Sequence, residues 1–316
     1  MTLNALNNTA EKYRKELLMI PFLALREHVL QFMAFYPNIQ WKEVIGQMLG
    51  NFELRPHDGQ VNTQSGITIN ARELEVYVGD VITDEDPEAL RKSILGQNLL
   101  NNAQPAKHPL EAQILAAIMA EVSKKLARTI WNASRNPAGT TTAELYNGFD
   151  TITATEIAAN NISVANGNLM SLGSITASNA MDKLTDLYYA ADVTMREKNT
   201  VMFVPYALYD LAQRQMRDDY GAANFNQSES WMYVLGSDKR CRIVPQVGKA
   251  GSAYVHLAES PTLQVGTDIA SDTPTILVKE IDNPWKARFV TKMAFGVQFA
   301  SIQKEHLMVG TITPIS

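Results

Sequence analysis

The side chains that most often carry out chemistry are few in this sequence and lie far apart along it. It has one cysteine, Cys241, and five histidines: His28, His57, His108, His256 and His306. No histidine stands at metal-ligand spacing from a second histidine, a cysteine or an acidic residue, so the sequence predicts no zinc site. Histidines this isolated are most often surface or capping residues, and we expect the same of these five.

One stretch matches a catalytic motif literally, and it is Ser301-Ile302-Gln303-Lys304, which fits the pattern SxxK. In enzymes that pattern places a lysine beside a nucleophilic serine at the start of a helix, with partner motifs further along the chain. Here it falls at the end of a predicted strand, so we interpret it as a chance match. Residues 248–252 (GKAGS) have the wrong order for a phosphate-binding loop and are typical of a hairpin turn.

Two clusters of charge allow a functional and a structural interpretation. Asp218 and Asp219 could be a carboxylate pair, but adjacent residues on a helix point about 100° apart and do not readily share a site. Lys239, Arg240 and Arg242 alternate with apolar residues, which favours the solvent face of a strand over a nucleic-acid patch. The sequence therefore predicts no catalytic residue, no cofactor site and no metal site.

Composition and charge are those of a globular chain large enough for two lobes. Its 316 residues exceed a typical single domain, and 46% hydrophobic with 19% charged residues indicates a folded core. The formal charge of −5, from 28 basic and 33 acidic residues, argues against a dedicated nucleic-acid binder. A single cysteine cannot form an intrachain disulfide, so a reducing compartment is the default expectation.

The most apolar run near the start, residues 17–25, is too short to span a membrane. Charged residues end it well before the ~20 residues that a spanning helix needs. Basic residues before the run imitate a secretory signal, but Glu16 interrupts them and no small-residue cleavage site follows. An amphipathic surface or docking helix is the better interpretation, and we expect no membrane partner.

Two long segments provide the expected frame of the molecule. Residues 108–134 carry apolar side chains at every fourth position from Leu110 to Ile130, which predicts one unbroken helix of roughly 39 Å. Residues 287–300 alternate between two sets of side chains, which predicts a half-buried strand of about 46 Å. The mean length of a strand is only about five or six residues, so this long helix and this long strand together indicate an elongated domain.

The first part of the chain is expected to extend from that frame. Residues 9–36 are helical in pattern with a kink near Pro21, and residues 41–49 predict a further short helix. This block is rich in large apolar residues, and it either packs on its own lobe or lies across a neighbouring chain. Residues 52–80 predict a long hairpin with a polar tip at 59–66, which must lean on something else to be stable.

The remaining segments predict a mixed lobe of helices and strands. After a loop-rich stretch at residues 139–179, helices are expected from Ser178 and from Pro205, with a buried strand at Thr200–Val204 between them. Five further strands are expected at residues 231–235, 240–247, 253–257, 262–266 and 275–281. The predicted fold class is therefore α+β.

The order of these parts resembles the major capsid proteins of tailed bacteriophages, whose fold is shared with encapsulin shells. In that family an N-terminal arm and an extended loop, the E-loop, project from an elongated P-domain. The P-domain holds a long spine helix and long antiparallel strands, and a separate α/β A-domain gathers around the capsomer axis. Local segments also look similar: residues 145–150 (LYNGFD), 199–205 (NTVMFVP), 217–221 (RDDYG) and the strands between Tyr254 and Phe299.

The resemblance implies a division of the chain and a set of contacts between subunits. The N-terminal arm would be residues 1–50, the E-loop 51–86, the P-domain 87–140 and 256–304, and the A-domain 141–255 and 305–316. Arm contacts are implied at Leu18, Phe22 and Leu25. E-loop contacts are implied at Phe52, Leu54, His57, Gln60, Ile67, Ile69 and Leu74.

This sequence departs from the family pattern in two respects. Some members join an E-loop lysine to an asparagine of the next subunit, but residues 52–86 contain no lysine, which closes that covalent route here. Others carry a long cleaved scaffolding segment before the fold, whereas this chain reaches its hairpin by residue 52. Scaffolding would therefore be a separate protein or unnecessary.

The resemblance implies a structural subunit, not an enzyme, that assembles with itself as hexamers and pentamers into the icosahedral shell of a tailed phage or prophage around genomic DNA. Separate scaffolding, portal or decoration proteins are further expected partners, with no sequence-specific nucleic acid, in a virion capsid assembled in the host bacterial cytoplasm. A mildly acidic subunit would avoid binding packaged DNA to the wall. Two alternatives stay open: an encapsulin compartment shell, and a two-lobed enzyme with an unrecognised site.

Overall fold

The computed structural model describes residues 3–13, 16–17, 19–20, 30–50, 67–86, 89, 92, 110–224, 232–269, 275–283 and 285–314. The helices in these ranges are α1 (Leu3–Lys12), α2 (Leu110–Thr129), α3 (Phe149–Ala158), α4 (Ala180–Ala190), α5 (Val193–Arg196) and α6 (Tyr206–Asn224). The strands are β1 (Ala34–Tyr36), β2 (Lys42–Gly50), β3 (Ile67–Glu75), β4 (Tyr77–Glu85), β5 (Leu169–Gly173), β6 (Thr200–Pro205), β7 (Met232–Tyr233), β8 (Cys241–Gln246), β9 (Tyr254–Glu259), β10 (Leu263–Gly266), β11 (Thr275–Glu280), β12 (Ala287–Phe299) and β13 (Leu307–Ile312).

The first sheet is built around β12, which confirms the long strand predicted at residues 287–300. Strands β4 and β11 both run antiparallel to its first half, so they lie on opposite edges of β12. Strand β10 pairs antiparallel with its last four residues, and β1 adds to β10 in parallel. The length of β12 therefore has a structural reason, because this single strand pairs with three others from separate segments of the chain, β4, β10 and β11.

The second sheet has the strand order β5-β13-β9-β6-β8-β7 and mixes parallel with antiparallel pairs. Its strand β6, predicted at Thr200–Val204, is buried at every position, as expected for a strand covered on both faces. Helices α4 and α6 pack against each other and contribute to the hydrophobic cluster on this sheet. Helices, parallel pairs and antiparallel pairs together confirm the α+β class.

The long helix predicted over residues 108–134 is present as α2, but it ends at Thr129. Beyond that point the carbonyl oxygens of Ile130, Trp131 and Ala133 accept hydrogen bonds from the N–H groups of residues 149, 150 and 148, at 3.2, 2.9 and 2.8 Å. Helix ends leave such carbonyls and N–H groups without partners inside the helix. Here the end of α2 and the start of α3 satisfy each other, which stops the first helix early.

The helix predicted at residues 41–49 is wrong, because that segment forms strand β2. It pairs antiparallel with β3, from Lys42 opposite Glu75 to Gly50 opposite Ile67. Two glycines within β2 disfavour a helix, and pairing with the neighbouring strand stabilises the extended form. The predicted hairpin exists as β2 and β3, so its outgoing strand lies earlier than expected, and β4 belongs to the β12 sheet. The predicted tip at residues 59–66 lies outside the described residues.

The helical block predicted at residues 9–36 is helical in its first part, in α1 and at the described residues 16, 17, 19 and 20, but not at its end. Helix α1 ends at Lys12, residues 30–32 form a 3₁₀ turn, and residues 34–36 are β1, which the edge of β10 holds in an extended form. In the described part of the block, Ala10, Leu17 and Leu30 are buried in the main core of the same chain. For those residues the structure therefore agrees with the first alternative, in which the block packs on its own lobe.

The base of the hairpin leans on its own chain through Arg72 of β3. Its guanidinium contacts the Glu156 carboxylate of α3 at 2.7 Å and donates to the carbonyl oxygen of Phe299 at 3.0 Å. Both charged side chains are mostly buried, at 15% and 16% exposure, so solvent screens this pair less than a surface pair. The expectation that the hairpin needs support is confirmed at its base.

Gly148 is the position where the junction between α2 and α3 leaves no room for a side chain. A Cβ atom there would lie 2.3 Å from the carbonyl oxygen of Trp131, which is backbone and cannot move aside. We expect Gly148→Ala to lower the free energy of unfolding by about 1–3 kcal/mol or more. Gly79→Ala is the control, because the added methyl would meet only the flexible end of Leu145. Urea unfolding that shows equal losses for both variants would contradict this account.

Candidate functional sites: a buried polar cluster and an exposed sheet face

A cluster of polar side chains lies between the two sheets, and its members come from three separate segments. Asp150 and Thr153 belong to α3, Lys249 to a 3₁₀ turn after β8, and His256 to β9. The Lys249 ammonium lies 2.8 Å from Oδ1 of Asp150 and 3.0 Å from Nδ1 of His256. Lys249 and His256 have no solvent exposure, and Asp150 has 8%. We call these four residues the buried cluster.

Hydrogen bonding fixes which histidine nitrogen carries the proton. The Thr153 hydroxyl donates to the carbonyl oxygen of Phe149 at 2.8 Å, so its oxygen must accept from Nε2 of His256, also at 2.8 Å. Nδ1 then has a free lone pair, which accepts from the Lys249 ammonium. His256 is therefore neutral in this arrangement, with its proton on Nε2.

Aromatic rings enclose the buried cluster. The Lys249 ammonium lies 4.0 Å from the ring centre of Trp131, and Phe299 stacks on the His256 ring at 5.8 Å with 20° between the planes. Burial, and then the nearby lysine charge, hold the pKa of His256 well below its ordinary value of 6.5. Burial also lowers the pKa of Lys249, against the opposing attraction of the Asp150 carboxylate.

The arrangement has the groups of a proton-transfer site but no access for a substrate. Three open grooves lie on the described surface, and no cluster residue lines any of them. One lies beside the turn at residues 300–305, one between β4 and the loop at 135–145, and one on α6 between Asp210 and Arg217. Cys241 is also closed off, and burial raises the pKa of its thiol to about 12, which makes it a poor nucleophile. Among the described residues, no group of three metal-ligating side chains comes together.

The other residues with possible chemistry lie apart from the buried cluster. The SxxK match falls in the turn after β12, where the Lys304 ammonium pairs with Asp192 at 3.3 Å, not with Ser301. Asp218 and Asp219 lie within the exposed part of α6, short of its end at Asn224. Arg240 and Arg242 flank the buried Cys241 at the start of β8, as the alternation predicted.

One expectation about the histidines is wrong, since His256 is a core residue and not a surface or capping one. The expected hairpin turn at residues 248–252 instead contains a fully buried lysine. Local sequence patterns carry no signal for this cluster, because Asp150 and Lys249 are 99 residues apart. The only hint is a lysine that lies between glycines, next to a strand of apolar residues.

A second feature is an exposed apolar row on one face of the β12 sheet. Ile82 of β4, Val290 of β12 and Leu277 of β11 lie directly opposite one another across three strands, and Ile82 and Leu277 are 56% and 44% exposed. On the reverse face, Phe289 and Thr291 are buried. We call the exposed side, with this row at its centre, the open face.

Charged rows border the apolar row on the open face. On one side Arg288 makes two hydrogen bonds of 2.7 Å to the carboxylate of Asp84, and on the other Asp80 lies opposite Lys292. Trp285, just before β12, is 79% exposed. Apolar surface rimmed by polar residues is typical of protein contacts.

Comparison with known proteins rests on structure, because no protein-family model and no curated protein sequence matches the chain. A chain of the satellite phage P4 procapsid, solved with the size determination protein, superposes with a TM-score of 0.57 at 12% identity, over 94% of this chain and 91% of that chain. A chain from the capsid of an empty GTA particle superposes with a TM-score of 0.55 at 12% identity, over 92% of this chain and 89% of that chain. A chain of the mature capsid of bacteriophage PhiM1 superposes with a TM-score of 0.50 at 12% identity, over 92% of this chain and 88% of that chain.

This chain has the major capsid fold of tailed phages. At 12% identity the fold is what the chains share, and it extends over nearly the whole of each. Within the capsid fold, the predicted division into arm, E-loop, P-domain and A-domain stays a prediction. Strand β9 runs across the boundary predicted between residues 255 and 256, since it pairs with β13 from Tyr254 to Ala258 and with β6 from His256 to Glu259.

Most of the predicted contact residues of this capsid fold lie outside the described residues: Leu18, Phe22, Leu25, Phe52, Leu54, His57 and Gln60. Ile67 and Ile69 occupy the distal part of β3, opposite Gly50 and Met48. Leu74 is 1% exposed and packs with Ile39, Val76 and Ala294 of its own chain. Its predicted role as a subunit contact is therefore corrected, because its side chain is covered within one chain. The open face is a surface that sequence reasoning missed.

Protonation of His256 should destabilise this capsid-fold chain in mild acid. Its pKa is about 6.5 when unfolded and well below that when folded, so its contribution is complete above about pH 6.5 and is lost as the pH falls below it. We expect His256→Gln, whose amide can replace both hydrogen bonds, to flatten the pH dependence by up to about 1.4 kcal/mol per pH unit. Urea unfolding of both proteins between pH 7 and 5 measures the difference, and parallel curves would refute the assignment.

Proposed function

We propose that this chain is the structural subunit of an icosahedral shell of a tailed phage or prophage, which self-assembles and encloses genomic DNA. The observation that carries the proposal is the capsid fold itself, shared over about nine-tenths of both chains with shell proteins of a phage procapsid and a GTA particle. The superposition covers 94% of this chain in one case and 92% in the other, so the likeness is not confined to one common domain.

We further propose hexamers and pentamers as the assembled units, in a virion capsid built in the host bacterial cytoplasm. Scaffolding, portal or decoration proteins are proposed as additional partners, and sequence-specific nucleic acid is not. No helix in the described part of the chain is long and apolar enough to cross a membrane. The charge of −5 is consistent with a wall that does not bind the packaged DNA tightly.

The open face supports a subunit that is incomplete alone. It combines an apolar row with bordering charged residues, one pair of which, Arg288 and Asp84, forms a salt bridge. It lies on the long sheet, and the hairpin strand β3 leads directly into β4 of that sheet. A neighbouring subunit laid across that face would bury the row and leave the charges at the rim, which is the usual anatomy of a protein interface. The proposal does not require any catalytic step.

The two alternatives can be separated from this proposal by different observations. An encapsulin compartment would enclose an enzyme cargo, and its gene would lie beside a ferritin-like or peroxidase gene, whereas a phage shell gene would lie beside terminase and portal genes. An enzyme would need its perturbed titratable groups in an accessible pocket. Among the described residues the strongly perturbed pair, Lys249 and His256, is enclosed.

Charge placed on the open face should prevent assembly without unfolding the subunit. Burying an unpaired ammonium in an interface costs several kcal/mol, and about 1.4 kcal/mol already weakens an association tenfold. We expect Ile82→Lys with Leu277→Lys to remove particles seen by negative-stain electron microscopy, while the thermal midpoint of the isolated chain is unchanged. The conservative pair Ile82→Val with Leu277→Val should still form particles.

A lysine at a distant exposed position is the second control for that experiment. Val164 is 72% exposed on the loop between α3 and β5, away from the β12 sheet. Val164→Lys should leave particle formation intact. Particles of normal size and yield from the double lysine variant would show that the open face is not a contact surface.

The hairpin tip provides a further test of the shell proposal. Deletion of residues 57–66 should spare the folded subunit, since the described base of the hairpin holds to its own chain through Arg72 and Glu156. The same deletion should abolish particles, because those residues are proposed to reach a neighbour. Circular dichroism and electron microscopy measure the two outcomes separately, and unchanged particle formation would count against the proposed role of the tip.

A further inference from the structure

Among the ion pairs of the described residues, the contact between Lys249 and Asp150 is the most enclosed, ahead of Arg72 with Glu156. Its two charged atoms are 2.8 Å apart, and the side chains are 0% and 10% exposed. The pair of Lys198 with Glu259 is equally close, at 2.6 Å, but its lysine is 46% exposed. Water can therefore compete with Glu259 for the ammonium group of Lys198, but it cannot compete with Asp150 for that of Lys249.

Enclosure disfavours the charged form of the Lys249 side chain and lowers its pKa. In a low-dielectric site an ion pair can return one proton from the ammonium to the carboxylate, which leaves a free amine beside a carboxylic acid. Those are the two reactants of amide formation, and they are already in contact. Groups held about 3 Å apart react with effective concentrations on the order of 10⁵ M or more.

His256 lies where a proton relay is needed. Its unprotonated Nδ1 is 3.0 Å from the Lys249 nitrogen and 3.8 Å from the Asp150 oxygen, so one atom faces both reactants. The bond from Nε2 to Thr153 holds the ring with that lone pair directed at them. The Trp131 ring closes the remaining side of the lysine.

We propose that Lys249 and Asp150 become joined by an amide bond between Nζ and Cγ inside each folded chain. The amine nitrogen attacks the carboxyl carbon, and Nδ1 of His256 takes the proton that the nitrogen loses. The same proton passes to a carboxyl hydroxyl, which leaves as water. One amine and one carboxylic acid thus give one amide and one water, with no further reactant.

The bond would tie α3 to the turn before β9 and thereby lock the helix start to the second sheet. It lies within one chain and involves no hairpin residue, so it is separate from the subunit-to-subunit linkage for which residues 52–86 have no lysine. It also requires only the folded chain, so its presence or absence does not depend on the shell proposal.

The experiment is mass spectrometry of the purified full-length chain after complete unfolding. We expect the mass to be lower than that of the sequence by one water molecule. Trypsin should fail to cut after Lys249 and should yield a branched peptide that contains both Lys249 and Asp150. Lys124, whose exposed ion pair with Glu121 is open to water, is the internal control and should be cleaved normally.

Two variants separate the bond from other losses of water. Lys249→Arg keeps a cation but has no reactive amine, so its mass should equal that of its sequence. His256→Gln should slow bond formation after refolding by about 100-fold, the range for loss of a general acid–base group. A ring closure at Asp150 alone would also lose water but would leave Lys249 open to trypsin, and that result would overturn the proposal.

The wild-type digest decides the question even if a variant fails to fold. A peptide that ends in unmodified Lys249 as the major product, after prolonged incubation of the folded chain, would show that the contact stays an ion pair. An equal rate for His256→Gln and the wild type would exclude the histidine as the relay.

Discussion

A fully buried ammonium group must find partners for its three N–H bonds, and the centre of this molecule is arranged around that requirement. Lys249 finds a carboxylate on α3, an imidazole on β9 and the face of the Trp131 ring at the end of α2. Loss of the Asp150 carboxylate would leave the buried lysine charge without its ionic partner, at a cost of about 3–5 kcal/mol for a broken buried pair. The cluster therefore specifies how three segments of the chain meet.

The helix junction and the aromatic shell follow from the same geometry. The carbonyl groups after α2 accept hydrogen bonds from the first N–H groups of α3, and this close approach requires glycine at position 148. The same junction places Asp150, near the start of α3, in the buried cluster. Phe299, the last residue of β12, stacks on His256 and contacts Phe149 at 5.1 Å between ring centres. The end of the longest strand is thus fixed at the point where the two sheets join.

The opposite end of the long sheet shows the complementary property, since its open face has no cover within the described part of the chain. A single subunit buries Phe289 and Thr291 on one side of β12 and presents Ile82, Val290 and Leu277 on the other. A chain with a rigid, enclosed centre and an uncovered long sheet suits a unit that is completed by copies of itself.

The sequence by itself determined the existence of the elements whose signal is periodic and long, namely the helix predicted at residues 108–134, the strand predicted at 287–300 and the buried strand predicted at 200–204. From their order it also led to the capsid fold, because the order of parts survives when identity falls to 12%. Only the tertiary structure decided that residues 42–50 are a strand, that Leu74 is internal and that His256 is a core residue. These three features depend on contacts with residues distant in the sequence, such as β3 for β2 and Asp150 for Lys249. A local sequence pattern contains no information about which distant segment packs against it.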